Sequence, residues 1–377
     1  MLLCKFAGMS SLIRIFLLML FSVTKSHAFS LLTYNVAGNG TTNWSTNAAQ
    51  VQAIGRQMAY LQPDIITFNE IPYTNTWQMP NFVATYLPGF FLATNSATDG
   101  FIRSVIVTRF PIVRQKSWLH SSNLDAYGAT NHVFTRDLFE AELDVPGSTQ
   151  HLHVFVTHLK ASSDNTNALR RGAEAGAISN FFVTGFLTTN SQRPYVLSGD
   201  MNEDVAKPPS TSRHPIERLA NAATGLQLTT PTNPFSGKEF TYSIRATLNE
   251  RIDYIMPCAT LASNVVASQV FRTDLLAPTP LDLQQFDDKT ASDHLPVLTV
   301  FNNPYDTPFR VTSLMFSNHV VQLNWQSTAQ RRYDIESSSN FTSWAKLLTN
   351  WTAAGTNSSW TGTVSAPLQF FRIHRVP

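Results

Sequence analysis

Six short segments between residues 32 and 296 set acids, amides and imidazoles beside apolar, strand-forming runs, and no other feature narrows the possible folds as much. They are Leu32-Thr33-Tyr34-Asn35-Val36, Thr67-Phe68-Asn69-Glu70, Thr157-His158-Leu159, Ser198-Gly199-Asp200-Met201-Asn202, Arg251-Ile252-Asp253-Tyr254 and Ser292-Asp293-His294-Leu295-Pro296. In most of them the apolar run leads straight into the polar group. Loops at strand ends are where α/β folds place their sites.

The rest of residues 30–300 fits that plan. Strands are expected at Ser30 to Val36, Ile65 to Phe68, Ile102 to Thr108, His132 to Leu143 and His151 to Thr157. More follow at Tyr195 to Ser198, Ile252 to Met256 and Leu295 to Phe301. Val51, Ile54, Met58 and Leu61 fall at the spacing of one face of a helix, and Leu169, Ala173, Ile178 and Phe182 mark a second helix over about 167–186. This is an α/β layered arrangement. The hairpin-like run at 132–157 argues for mixed pairing rather than a purely parallel sheet.

Asn302 to Pro308 is polar and proline-bounded, and residues 304–308 read as a linker. Beyond it the texture changes. Arg310 to Met315, Val320 to Trp325, Arg332 to Glu336 and Phe370 to Ile373 are short strands separated by Ser, Thr and Asn, which predicts a small all-β sandwich over 309–377. Two units suit a chain of 377 residues, since one core rarely grows past roughly 250–300.

Residues 1–28 read as a signal peptide. Lys5 and Arg14 precede the apolar run Ile15 to Val23, and Ser26-His27-Ala28 has the small-x-small form of a cleavage site. The run is short of the roughly 20 residues that span a bilayer. An exported chain, secreted or periplasmic, is expected. Three cations leave with the leader, so a formal charge of +2 becomes −1, and the main domain is more acidic still. Binding of nucleic acid by a broad basic face is thereby disfavoured. Cys4 leaves too, and Cys258, set in apolar sequence, is expected to be buried and inert.

Taken singly, each polar position has a plain reading. Asp200 after a glycine suits a turn, Glu70 a surface acid, and His158 a satisfied, half-buried histidine. Asp253 inside Ile-Asp-Tyr-Ile is harder to dismiss, because a carboxylate in an apolar strand is costly unless paired. Together they form a consistent set. Glu70, Asp293 and the amide of Asn35 are hard oxygen ligands of the kind Mg²⁺ or Mn²⁺ prefers. HExxH, cysteine clusters, a GxxxxGK[ST] loop and a GxSxG elbow are all absent.

The ordered set Asn35, Glu70, His158, Gly-Asp200-x-Asn202, Arg-Ile-Asp253-Tyr and Ser-Asp293-His294-x-Pro resembles the endonuclease/exonuclease/phosphatase family over residues 29–303. That family includes pancreatic-type deoxyribonucleases, abasic-site endonucleases, neutral sphingomyelinases and inositol polyphosphate phosphatases. The resemblance implies a four-layer sandwich, two packed mixed β-sheets flanked by helices. It implies that Glu70 binds the metal, supported by Asn35 and Asp293. Asp200 and Asn202 would position water and phosphate. His294, oriented by Asp253, would be the base or electrostatic partner. His158 would hold a phosphate oxygen or assist the leaving group, and Arg136 would face the phosphate. Pancreatic-type relatives pair the equivalent of His158 with a glutamate, for which Ile102 to Thr108 offers no candidate.

The function expected is metal-dependent hydrolysis of phosphate esters, with nucleic acid favoured over phospholipid or a small phosphate ester. The competing class is a catalytically dead binding or adhesion protein. The C-terminal module resembles modules appended to secreted bacterial enzymes that bind carbohydrate or the cell surface, and a monomer is expected. Arg170 and Arg171 read as a solvated helix face, although with Lys160 they could meet a substrate. Leu87-Pro88-Gly89-Phe90-Phe91 reads as a packed loop rather than an exposed lipid-touching hairpin.

Overall fold

Two βαβ crossovers organise the main unit. In the first, β1 (Ala28–Asn35) runs into helix α1 (Ala49–Leu61) and then into β2 (Ile65–Pro72), which pairs parallel to β1. Helix α2 (Met79–Tyr86), β3 (Phe91–Ala93), β4 (Ile102–Thr108), β5 (Ile112–Trp118) and β6 (Leu138–Leu143) follow. The second crossover joins β7 (Leu152–His158) through α3 (Asn165–Asn180) to β8 (Tyr195–Asp200), again parallel. Then come β9 (Asp253–Pro257), β10 (Val265–Val270) and β11 (Val297–Asn302). The computed structural model describes residues 28–38, 44–73, 78–207, 214–306, 309–329, 331–340, 342–363 and 369–376.

The strands form two mixed sheets, ordered β10-β11-β1-β2-β4-β3 and β5-β6-β7-β8-β9. Strand β1 faces β8 and β2 faces β7, so the two parallel pairs lie against each other. Strands β6, β7 and β8 are buried along their whole length, as expected of strands covered on both faces. The outer face of the first sheet packs under α1 and α2 through residues such as Leu32, Tyr34, Ile54, Met58, Phe68 and Phe82. Phe155, Phe182, Phe186 and Tyr195 form a ring cluster against the second, with centroids 5.1–5.7 Å apart.

Several elements differ in extent from the sequence reading. The strand expected over 132–143 begins only at Leu138, because Thr135 and Arg136 spend their polar groups elsewhere, on Glu174 and on the carbonyls of His158 and Leu159. The second helix starts at Asn165, capped by the Asp164 carboxylate, which accepts from Asn167 N at 3.0 Å. Its α geometry ends at Asn180 and gives way to a π turn over Phe181–Phe186. Leu87 is buried and Phe90 packs on the core, while Pro88, Gly89 and Phe91 are exposed, so the stretch is packed only in part. Cys258 is buried, which pushes its thiol pKa up.

The second compact unit comprises residues 146–149 and 305–377. Here β12 (Val311–Ser317), β13 (Val320–Gln326), β14 (Arg332–Ser338), β15 (Ala345–Thr352), β16 (Asn357–Thr363) and β17 (Phe370–Val376) form two antiparallel sheets, β12-β13-β16 and β15-β14-β17. Leu323, Trp325, Tyr333, Ile335 and Ala353 make the core. The sequence reading passed over β15 and β16, whose Ser, Thr and Asn content looks like spacer.

Residues 1–27 of the expected leader, 1–28, and positions 307–308 of the expected linker lie outside the described residues. Ala28 opens β1, paired with Asn302. No helix among the described residues is long and apolar enough to cross a membrane.

Candidate active site

The ends of the facing strands carry the polar residues. Asn35 closes β1 and Glu70 lies near the end of β2; His158 closes β7 and Asp200 closes β8. Beside them run antiparallel neighbours whose starts lie at the same end. Asp253 opens β9, and Asp293-His294 lies two residues before the start of β11.

Local backbone aims these groups. Between Phe68 and Ile71 the β2–β4 ladder slips, and Glu70 sits in the left-handed region at φ 61°. A bulge of this kind turns a side chain out of the sheet. Gly199 has φ 131°, and a Cβ there would collide with the Thr157 carbonyl and crowd Asn69 Oδ1, so glycine alone allows this approach.

The contacts join one sheet to the other. Asn35 Nδ2 donates to Asp200 Oδ2 at 2.8 Å and to Glu70 Oε1 at 3.0 Å. His158 Nε2 lies 3.4 Å from Asp200 Oδ2 and 3.9 Å from Glu70 Oε1. Asp253 Oδ2 and His294 Nδ1 are 2.9 Å apart, and His294 Nε2 points back to Asp200 Oδ2 at 3.8 Å. Asn202 N donates to Asp200 Oδ1 at 2.8 Å. Asn35, Glu70, His158, Asp200, Asn202, Asp253 and His294 therefore form one connected cluster. Asp293 is half-buried next to His294, and its carboxylate acts on His294 and Tyr242 through charge.

Burial and charge tune the groups. Burial raises the Asp200 carboxyl far above the carboxylate range, and the Asp253 charge adds to this against the pull of His294 and Asn35. Burial alone would lower His294, but the charge and hydrogen bond of Asp253, with Asp200 and Asp293, outweigh it and bring the imidazole to about 10. His158 goes the other way. Burial, then the charges of Arg136, His294 and Lys160, hold it well below the usual value, so it is neutral.

A divalent cation fits this chemistry. Glu70, His158 and Asp200 offer ligand atoms within 4.8 Å of one another, and so do Asp200, Asp253 and His294. The second trio is already bonded internally through Asp253 and His294. The first is the more open: Glu70 is partly exposed and free to take an ion, while the ring nitrogens of buried His158, which lack hydrogen-bond partners, remain for a substrate oxygen. Glu70, Asp200, Asp253 and Asp293 crowd four carboxyl groups into a cluster short of positive charge, as a hard cation prefers.

Two cationic readings change. Arg171 is not on a solvated face: it is buried, bonded to Glu203 Oε2 at 2.8–2.9 Å and to the carbonyls of Lys160 and Ser162. Arg170 bonds the Val133 carbonyl. Arg136, expected to face the phosphate, is also buried.

Sequence reasoning missed Asn69, Tyr242 and Ser292. Asn69 Oδ1 accepts from Asp200 N at 2.9 Å, while its Nδ2 donates to Ser104 Oγ and Thr157 O. Its signal was an amide in a strand otherwise fully buried, which demands partners. The Tyr242 ring lies 4.8 Å from that of His294. Ser292 Oγ donates to Asn35 O and accepts from His294 N, linking β1 to the histidine.

No curated protein sequence matches the chain. Among solved structures, truncated TDP2 from Caenorhabditis elegans superposes with a TM-score of 0.51 at 14% identity, over 74% of this chain and 99% of that one. The human nocturnin catalytic domain, which holds a sulfate anion, gives 0.51 at 17% over 73% and 94%. Beta toxin from Staphylococcus aureus gives 0.50 at 15% over 72% and 99%. These likenesses show a shared fold. The sequence profile of the endonuclease/exonuclease/phosphatase family matches residues 32–294, the stretch that contains all six polar segments except Leu295-Pro296 at its edge. On that match and the two-sheet fold beneath it, the chain belongs to the endonuclease/exonuclease/phosphatase family.

Proposed function

We propose that the chain is an exported, divalent-metal-dependent phosphodiesterase that cleaves nucleic acid. The observation that carries this reading is the cross-sheet cluster, in which Asn35 and Glu70 from one sheet meet His158 and Asp200 from the other. A dead binding scaffold would have no use for these mutually perturbed groups, since burying them is costly.

Glu70, with Asn35 and Asp293, would hold Mg²⁺ or Mn²⁺, which when bound supplies positive charge against the phosphoryl oxygens. The chain's own groups do the rest. Asp200, with its raised pKa, takes the proton of the attacking water, and Asn202 fixes the Asp200 carboxylate through its backbone N–H. Protonated His294, held by Asp253, stands as a cationic donor to the developing charge. Neutral His158 offers one ring N–H to a phosphoryl oxygen or the leaving group. The water oxygen bonds to phosphorus as the bond from phosphorus to the leaving oxygen breaks, and that oxygen takes its proton from His158 or from solvent. The sulfate in nocturnin is a tetrahedral anion of phosphate's shape, in keeping with this reading.

The test is a panel of plasmid DNA, RNA, sphingomyelin and a bis-aryl phosphate, each with Mg²⁺, Mn²⁺ or EDTA. Cleavage of DNA or RNA that EDTA abolishes is expected. Cleavage of sphingomyelin alone would transfer the assignment to phospholipid, and metal-independent turnover would remove the mechanism. Amino-terminal sequencing of exported protein tests the leader, and sedimentation tests the monomer. For the C-terminal unit we propose carbohydrate binding. A cavity of about 350 Å³ there is lined by Phe309, Gln326, Ser327, Thr328, Thr356, Asn357 and Arg375, a mixture of one ring and one guanidinium with hydroxyl and amide groups. A glycan array on the full chain showing no retention would remove that assignment.

A further inference from the structure

Arg136 is expected to face a phosphate, yet its surroundings leave it little to offer one. Its side chain is 7% exposed. Nη1 donates to His158 O at 3.0 Å and Leu159 O at 3.3 Å, Nη2 meets Asp99 Oδ2 at 2.9 Å, and Nε is buried without a partner. The facing carboxylate answers the charge, and the fork is occupied on both sides. Both terminal nitrogens are engaged, so only the buried Nε is left to offer an anion.

What Arg136 joins is more telling. Asp99 Oδ1 accepts from Phe101 N and Ile102 N, and Phe101 O accepts from Tyr73 N, just beyond the strand that carries Glu70. A second tie runs from Asn95 Nδ2 to Asp137 Oδ2 at 2.7 Å. The loop over residues 94–101 is thus fastened at two points to the 136–137 segment. On the other side, Leu159 O is shared between Arg136 and Asn202 Nδ2, and Leu159 N donates to Asp200 O. Phe101, at the end of the loop, is 72% exposed.

We infer that Arg136 is a positioning residue that acts through His158: with Asp99 it latches the rim loop at 94–101 to the carbonyl end of β7. The guanidinium holds three acceptors from two segments, which fixes the backbone from which the His158 ring reaches Asp200. A group that touches the loop thereby acts on His158 and Asn202 without touching either. The latch itself is a statement about structure; only its kinetic consequence rests on the proposed hydrolysis.

The experiment uses the full chain with Asp99→Asn, Arg136→Gln, Arg136→Lys and the Asp99→Asn/Arg136→Gln double variant. Hydrolysis of bis(4-nitrophenyl) phosphate with Mn²⁺, inhibition by inorganic phosphate, and hydrogen exchange at amides 158–160 are followed. For Arg136→Gln, kcat should fall about 10–100-fold, the range for groups that orient a ligand, with KM and phosphate inhibition nearly unchanged. Asp99→Asn should lower kcat in the same direction and speed exchange at 158–160, a segment it does not touch. The double variant should be no worse than Arg136→Gln alone, because the two residues share one link. Lysine should not rescue, since one ammonium cannot span three acceptors. The inference fails if Arg136→Gln raises KM and weakens phosphate inhibition at constant kcat. It fails equally if Asp99→Asn leaves exchange at 158–160 as in the wild type, a readout that stands even if Arg136→Gln does not fold. A wild type inert on every ester would end the hydrolytic reading, while the exchange comparison would still decide the latch.

Discussion

The two sheets of the main unit are built alike and equipped differently. Each centres on a parallel pair joined by a helix, β1-α1-β2 in one and β7-α3-β8 in the other. Each has an antiparallel neighbour whose start lies at the site, β11 beside β1 and β9 beside β8. Corresponding positions meet: Asn35 with Asp200, Glu70 with His158, and His294 with Asp253. The first sheet contributes an amide and a partly exposed carboxylate, and the second an imidazole and a carboxylate with almost no exposure. The difference assigns the work. Partly exposed Glu70 is open to a cation from solvent, and the sealed groups set one another's charge before they meet substrate.

If that division holds, breaking the bond between His294 and Asp253 should do most damage. His294→Ala is expected to lower kcat about 10³–10⁴-fold, the scale on which a positioned proton-handling histidine and its carboxylate operate. Steady-state kinetics on any substrate found in the panel checks this, and a loss under tenfold would contradict the assignment. Glu70→Gln tests the open side. A loss of about 10²–10³-fold is expected, with a higher Mn²⁺ concentration needed for half-maximal rate. An unchanged metal requirement would move the cation elsewhere.

Asn69→Ala asks whether the halves must be held in register. It removes bonds to Ser104, Thr157 and Asp200 at once. A fall of about 10–100-fold in kcat is expected, as for other groups that orient ligands. The smallest effect concerns pH. His294 is raised from its unfolded value of roughly 6.5 to about 10 in the fold. The stability it contributes is full below the lower value and is lost as pH rises through the upper one. Melting of the EDTA-treated protein should therefore occur at progressively lower temperature from pH 7 to 10, and His294→Gln should flatten that slope. A slope of the same size in the variant would assign it to other groups.

Much of the site was legible because chemistry and position coincide in the sequence. Apolar strands that stop at Asn35, Glu70, His158 and Asp200 announce groups at one edge of a sheet, since a strand's side chains alternate and its end faces a loop. Asp253 stood out because an ion in an apolar strand needs a partner. Arg171 was misjudged for a related reason. Helical spacing tells which face a residue occupies, but whether an acid such as Glu203 waits opposite depends on a segment 32 residues further on. Likewise β15 and the hydroxyl-rich β16 form strands because neighbours supply their hydrogen bonds, a property their composition does not display.

The sequence by itself determined which residue types stand at which strand ends, the order in which they come, and the change of texture beyond residue 304. Tertiary structure alone decided the pairings: Asn35 with Asp200 across 165 residues, Asn69 spanning both sheets, and Arg136 turned inward onto Asp99 and β7. Local spacing fixes the face a side chain takes. Which group it meets there depends on how two separately formed sheets settle against each other, and that is set by the packing of the whole core.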